Sequence, residues 1–187
     1  MIRICVAMPY AKKAGLLAAS RLPRFIGSLL PGAYSRGLTE AELSLVPSEM
    51  QKAINLSLVR LINRAHNPFA LNKILVRGHD IYWPQMPANF AATKITVQSL
   101  LIHELAHVWQ YATGRLTAFR YVTQPRNWRY RYEVRPDARL DDYAIEAQAD
   151  LVQDWFRIRR GLPPSRYRGE PPTRGWIEDI VRLSPRM

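Results

Sequence analysis

Residues 97–112 run without glycine or proline and contain His103-Glu104-Leu105-Ala106-His107. An uninterrupted stretch of that length predicts a helix. On a helix, two histidines four residues apart project from one face. Both imidazoles can then reach a single metal ion, and Glu104 faces the same cleft, where it can take a proton from zinc-bound water. The motif dictates a long helix and a second element that completes the ligand set. Thr96 is the expected N-cap and Gly114 the expected stop. Leu101, Leu105, Val108 and Ala112 form the expected buried stripe. The competing reading makes both histidines polar members of a core helix. The chain has 4 histidines, and this pentamer takes two of them, which favours the metal.

Two imidazoles leave zinc short of a catalytic set, which is completed by a Glu with water or by a third His. No His follows His107, so a carboxylate must serve. The best placed is Glu146, in a second helical segment over 143–156. There Ile145, Ala149, Val152 and Phe156 share a stripe, Asp141 or Asp142 can cap the start, and Gly161 ends the helix before Pro163-Pro164. Asp150 lies four residues beyond Glu146 on the same face, so it can accept the spare N–H of a ligating histidine and fix that ring's tautomer. Read alone, the pair is better taken as two solvated carboxylates; the upstream motif reverses that preference. Glu133, in a strand-like run, and Asp137, Asp141 and Asp142, in a polar loop, are weaker alternatives.

His-Glu-Leu-Ala-His followed by Glu-Ala-Gln-Ala-Asp resembles the gluzincin metallopeptidases. The E-x-x-x-D element is similar to that of thermolysin-like enzymes, and E-A-Q-A-D to that of membrane-linked CAAX-type proteases. By size, by His-Glu-Leu-Ala-His-Val-Trp-Gln and by Ile-Tyr-Trp-Pro upstream, the chain more closely resembles small bacterial zincins associated with Vgr proteins and with contractile injection or type VI secretion systems. The likeness spans roughly 38–161. It implies one Zn²⁺ on His103, His107 and Glu146, with Glu104 as general base and then acid in hydrolysing a peptide or protein amide bond. It also implies a secretion-system component as partner. Thermolysin-like enzymes use a downstream His on the oxyanion. None exists here, so that role falls to Tyr130, Tyr132, Tyr143 or Arg139.

The formal net charge of +12 is unevenly spread. Six Lys or Arg precede Thr39 without an acid, a second cluster includes Arg115, Arg129, Arg131 and Arg139, and a third includes Arg157, Arg159, Arg160 and Arg166. Such a surface attracts anionic partners, or simply keeps a small enzyme soluble. The alternation in Trp128-Arg129-Tyr130-Arg131-Tyr132 suits nucleic acid, but fits a half-buried strand better. Nucleic-acid binding ranks below both other readings. The single Cys5 excludes an internal disulfide framework. No apolar run reaches membrane-spanning length, and 12–20 is too short for a signal peptide. The expectation is cytoplasmic synthesis, with any delivery by a contractile machine.

The expected architecture is α+β and zincin-like: a small antiparallel or mixed sheet packed on the H-E-x-x-H helix, with a second helix carrying the Glu ligand. Residues 1–38 form a basic irregular extension, 39–162 the metallopeptidase domain, and 163–187 a Pro/Arg-rich tail with a short helix at 176–183. Thr39-Glu-Ala-Glu42 is a capping box opening a helix. Residues 56–64 read as strand. Gly78-His79 joins two strands over 73–77 and 80–83 into a hairpin. Ile81, Tyr82 and Trp83 are the expected edge strand for an extended substrate, with a plain core strand as the alternative. The rival to an enzyme is an accessory protein of a secretion particle that keeps the zinc fold for structure and docks through its basic surface.

Overall fold

The computed structural model describes residues 34–67, 71–117, 132–133 and 138–167. The expected helix at 176–183, Tyr130, and the arginines at 120, 126, 129, 131, 135 and 168 lie outside them. Four short strands form one mixed sheet in the order β1-β2-β4-β3: β1 is Ser35–Arg36, β2 Arg60–Ile62, β3 Leu75–Arg77 and β4 Asp80–Tyr82. β1 pairs antiparallel with β2, β2 parallel with β4, and β4 antiparallel with β3. Helices α1 (Glu40–Leu43) and α2 (Ser48–Ala53) lead into the sheet, α3 (Ile95–Ala112) follows it, and α4 (Ile145–Ile158) packs on α3. β3 is the strand packed on α3.

The Thr39–Glu42 capping box forms as expected, but its carboxylate reaches further. Glu42 is fully buried and accepts from both terminal nitrogens of Arg36 at 2.6 and 2.8 Å, and from the N–H groups of Thr39 and Phe90 at 2.8 Å each. It therefore ties β1, α1 and the approach to α3 into one unit. This corrects the expected boundary at residue 38: β1 and Arg36 belong to the fold. Pro47, which lacks an N–H, separates α1 from α2. Residues 56–64 are not one strand. The Asn55 side chain accepts from the Ser57 N–H and turns Leu56–Leu58 into a 3-10 turn, leaving only β2 extended.

The hairpin forms with Arg77 opposite Asp80, and Gly78 adopts φ +64°, a conformation that glycine takes without strain. Its second strand, however, is not an edge. Ile81 is registered against Leu61 on one side and Val76 on the other, and Tyr82 against Ile62 and Leu75. Trp83 donates its N–H to Ile62 and packs edge-on against Phe90. Ile81, Tyr82 and Trp83 therefore cannot receive an added strand, because their ladder groups face neighbours already; the outer strand beside α3 is β3.

α3 starts at Ile95, with Lys94 as N-cap, so Thr96 lies within the first turn. Gln98 donates to the carbonyls of Ala91 and Thr93, anchoring the preceding turn to the helix. Gly114, at φ +70°, ends α3 and Gly161, at φ +74°, ends α4, as expected. The stripe on α3 is wider than expected. Ala112 is exposed, yet residues 101–110 are buried without interruption. A helix buried all round sits in the core rather than on it. Among the described residues, no helix is long and apolar enough to cross a membrane.

Candidate metal centre

α3 and α4 meet where His103, His107 and Glu146 converge. His103 Nε2 and His107 Nε2 are 3.2 Å apart; Glu146 Oε2 is 3.6 Å from the first and 3.4 Å from the second. A tetrahedral zinc with bonds of about 2.0–2.1 Å holds its ligand atoms about 3.3 Å apart, so the triangle already has the size such an ion requires. Among the described residues this is the only group of three or more His, Cys, Asp or Glu able to hold a metal.

All three residues and Glu104 are fully buried, and both carboxylate oxygens of Glu104 and of Glu146 lack hydrogen-bond partners. Buried, unpartnered carboxylates are costly unless a cation neutralises them. The donor chemistry fits zinc: two imidazoles and a carboxylate are the ligand set of catalytic zinc sites. The two glutamates differ. Burial pushes Glu104 up, against the pull of His103 and His107. For Glu146 burial also pushes up, but His107 and His103 outweigh it and hold the carboxyl at about 2.

Each histidine is oriented from behind. His103 Nδ1 lies 3.2 Å from Asp150 Oδ1, so a carboxylate oxygen stands behind the ring. This is the place the four-residue spacing from Glu146 implies. His107 Nδ1 lies 2.8 Å from Gln110 Oε1, a partner that sequence reasoning missed. Its only signal was position: three residues beyond His107 on the same helix.

The described candidate oxyanion residues are engaged elsewhere. Tyr132 is buried, but its hydroxyl donates to Asp154 Oδ2 at 2.9 Å, and burial together with that carboxylate pushes its pKa far up. Tyr143 packs edge-on against the Tyr132 ring. Arg139 is exposed at the head of a 3-10 turn, where its N–H donates to Asp142. Glu133 and Asp141 are exposed, unlike a ligand of this buried centre. Asp154, also missed, accepts from the backbone N–H groups of Ser165 and Arg166, so the fold continues past residue 162. Several arginines have local work: Arg115 stacks on Trp109 and pairs with Asp141, Arg159 lies over Trp155, and Arg160 over Phe156.

No family model matches the chain. Its likeness is to an effector domain carried by a secretion-system spike. The relative is the type VI secretion system spike protein VgrG2b of Pseudomonas aeruginosa, 31% identical over 160 residues, which cover 79% of this chain and 16% of VgrG2b. The solved effector domain of Pseudomonas aeruginosa VgrG2b superposes with a TM-score of 0.52 at 29% identity, over 65% of this chain and 73% of that one. The chain is homologous to that effector domain and spans about one sixth of the spike protein's length.

Proposed function

We propose that the chain is a zinc-dependent metallopeptidase with a zincin-like fold, acting as an effector of a type VI or related contractile secretion system. One observation carries the chemistry: three donor atoms converge at tetrahedral spacing with the unpartnered Glu104 buried beside them. His103, His107 and Glu146 would hold Zn²⁺. Bound there, zinc supplies Lewis acidity that polarises a scissile carbonyl and acidifies water. Glu104 takes the water's proton and returns it to the leaving nitrogen. Burial raises the pKa of Glu104, which suits a group that holds a proton between the two steps. An extended peptide adds along the outer edge of β3, next to α3.

The effector part is supported by homology to the VgrG2b effector domain. A spike component is then the partner, and the spike is the route of delivery. The second reading, a structural zinc in a docking protein, draws on the complete burial of the centre. It fits less well, because structural zinc is almost always closed by four protein ligands and the set among the described residues offers three. Metal analysis and a peptide-library digest decide between them. One zinc per chain with cleavage abolished in Glu104→Gln is expected. A protein that takes up no zinc refutes both readings; one that binds zinc and cleaves nothing leaves the structural one.

A further inference from the structure

We infer that Gln110 is the positioning residue for His107, and that it couples this ligand to Glu146 across the helix pair. The inference rests on the metal-site reading above. Gln110 is fully buried. Its Nε2 donates to the Ile145 carbonyl at 2.8 Å and to Gln148 Oε1 at 3.0 Å. Gln148 in turn donates to the Tyr143 carbonyl at 2.9 Å. Backbone carbonyls only accept, so the Tyr143 carbonyl fixes the Gln148 amide with its oxygen towards Gln110. The two hydrogens of the Gln110 amide are then both used, on Ile145 and Gln148. Its Oε1 has to face His107, and an amide oxygen can only accept.

His107 Nδ1 must therefore carry the proton, which leaves Nε2 with the lone pair of a neutral imidazole. Nε2 is the atom that faces His103 Nε2 and Glu146 Oε2. The tautomer is thus dictated by two backbone carbonyls at the head of α4, relayed through two glutamines. Ile145 directly precedes Glu146, so the same bridge sets where the third ligand stands relative to His107. The two histidines are held differently: His103 against a carboxylate, His107 against a neutral amide.

The test separates orientation from mere helix pairing. In the full chain, Gln110→Leu should lower Zn²⁺ affinity about 10–100-fold and alter the visible spectrum of bound Co²⁺. Gln148→Leu should lower the melting temperature of the metal-free protein while Zn²⁺ affinity stays near wild type, because the Ile145 carbonyl still orients Gln110. Gln110→Glu, which keeps an acceptor for Nδ1 but offers no donor, should restore affinity yet melt low. Equal Zn²⁺ affinity in Gln110→Leu and wild type overturns the inference, as does an equal loss in Gln148→Leu. If Gln110→Leu does not fold, loss of Zn²⁺ affinity in Gln110→Glu overturns it. Wild-type protein that binds no Zn²⁺ refutes the proposed function as well, whereas these variant outcomes leave that function standing.

Discussion

Asp150 Oδ1 stands 3.2 Å from His103 Nδ1, one turn along α4 from Glu146. One helix face therefore carries a proposed ligand and, a turn later, the group that would aim another. Asp150→Asn removes the charge that holds this ring. Zinc affinity should fall about 10–100-fold with the fold retained, measured by chelator competition and circular dichroism. Undiminished affinity would show that His103 is aimed by its packing alone.

Glu104→Gln separates chemistry from folding. The amide cannot take a proton, so peptide hydrolysis should fall by about 100-fold or more while zinc content stays at wild-type level. Since Glu104 has two buried, unpartnered oxygens and a raised pKa, the neutral side chain should also stabilise the metal-free protein, by about 1–3 kcal/mol. Urea unfolding of both metal-free forms checks the sign. A less stable variant would mean that the carboxylate has a stabilising partner.

Tyr132→Phe tests whether this tyrosine serves the oxyanion. Its hydroxyl is committed to Asp154, which has three further donors from Ser165 and Arg166. The variant should lose roughly 1–2 kcal/mol of stability and keep kcat. A steep fall in kcat with unchanged KM and zinc content would return Tyr132 to the catalytic machinery.

Glu42 governs an acid limb of stability. Burial pushes its pKa up, but Arg36 and the N–H groups of Thr39 and Phe90 outweigh this and leave it below the ordinary 4.5. The unfolded chain then takes up this proton first as pH falls. The stabilisation is complete above about 4.5 and is lost as pH drops through the folded value. Glu42→Gln should be less stable at neutral pH by roughly 1–3 kcal/mol and should lose part of the wild-type decline below pH 4.5. Parallel stability curves for the two proteins between pH 3 and 6 would contradict this.

What was legible in the sequence was what neighbours along the chain determine. The Thr39–Glu42 box, the Gly78 turn, the helix stops at Gly114 and Gly161, and the i,i+4 pairs His103/His107 and Glu146/Asp150 are local patterns, and each forms. Strand order was not legible. β4 is internal because β2, far back in the chain, pairs parallel to it, and nothing within Ile81-Tyr82-Trp83 records that partner. Gln110 was overlooked because its acceptors lie on α4, so its role exists only once the helices dock. The unbroken burial of residues 101–110 escaped for a related reason: Glu104 and Gln110 read as polar, and only tertiary contacts enclose them.

The ligand triangle and Glu104 expose no surface, and this makes the centre a kinetic object as well as a chemical one. An ion enclosed there can leave only as fast as the surrounding structure opens. With excess chelator its release should therefore approach a plateau rate that extra chelator does not raise, and that rate should track local opening seen by hydrogen exchange. The same event would have to admit a peptide, so ion exchange and turnover should share one activation barrier. Zinc added while the chain folds would then load quickly and completely. Zinc added to the finished metal-free protein would load at the opening rate.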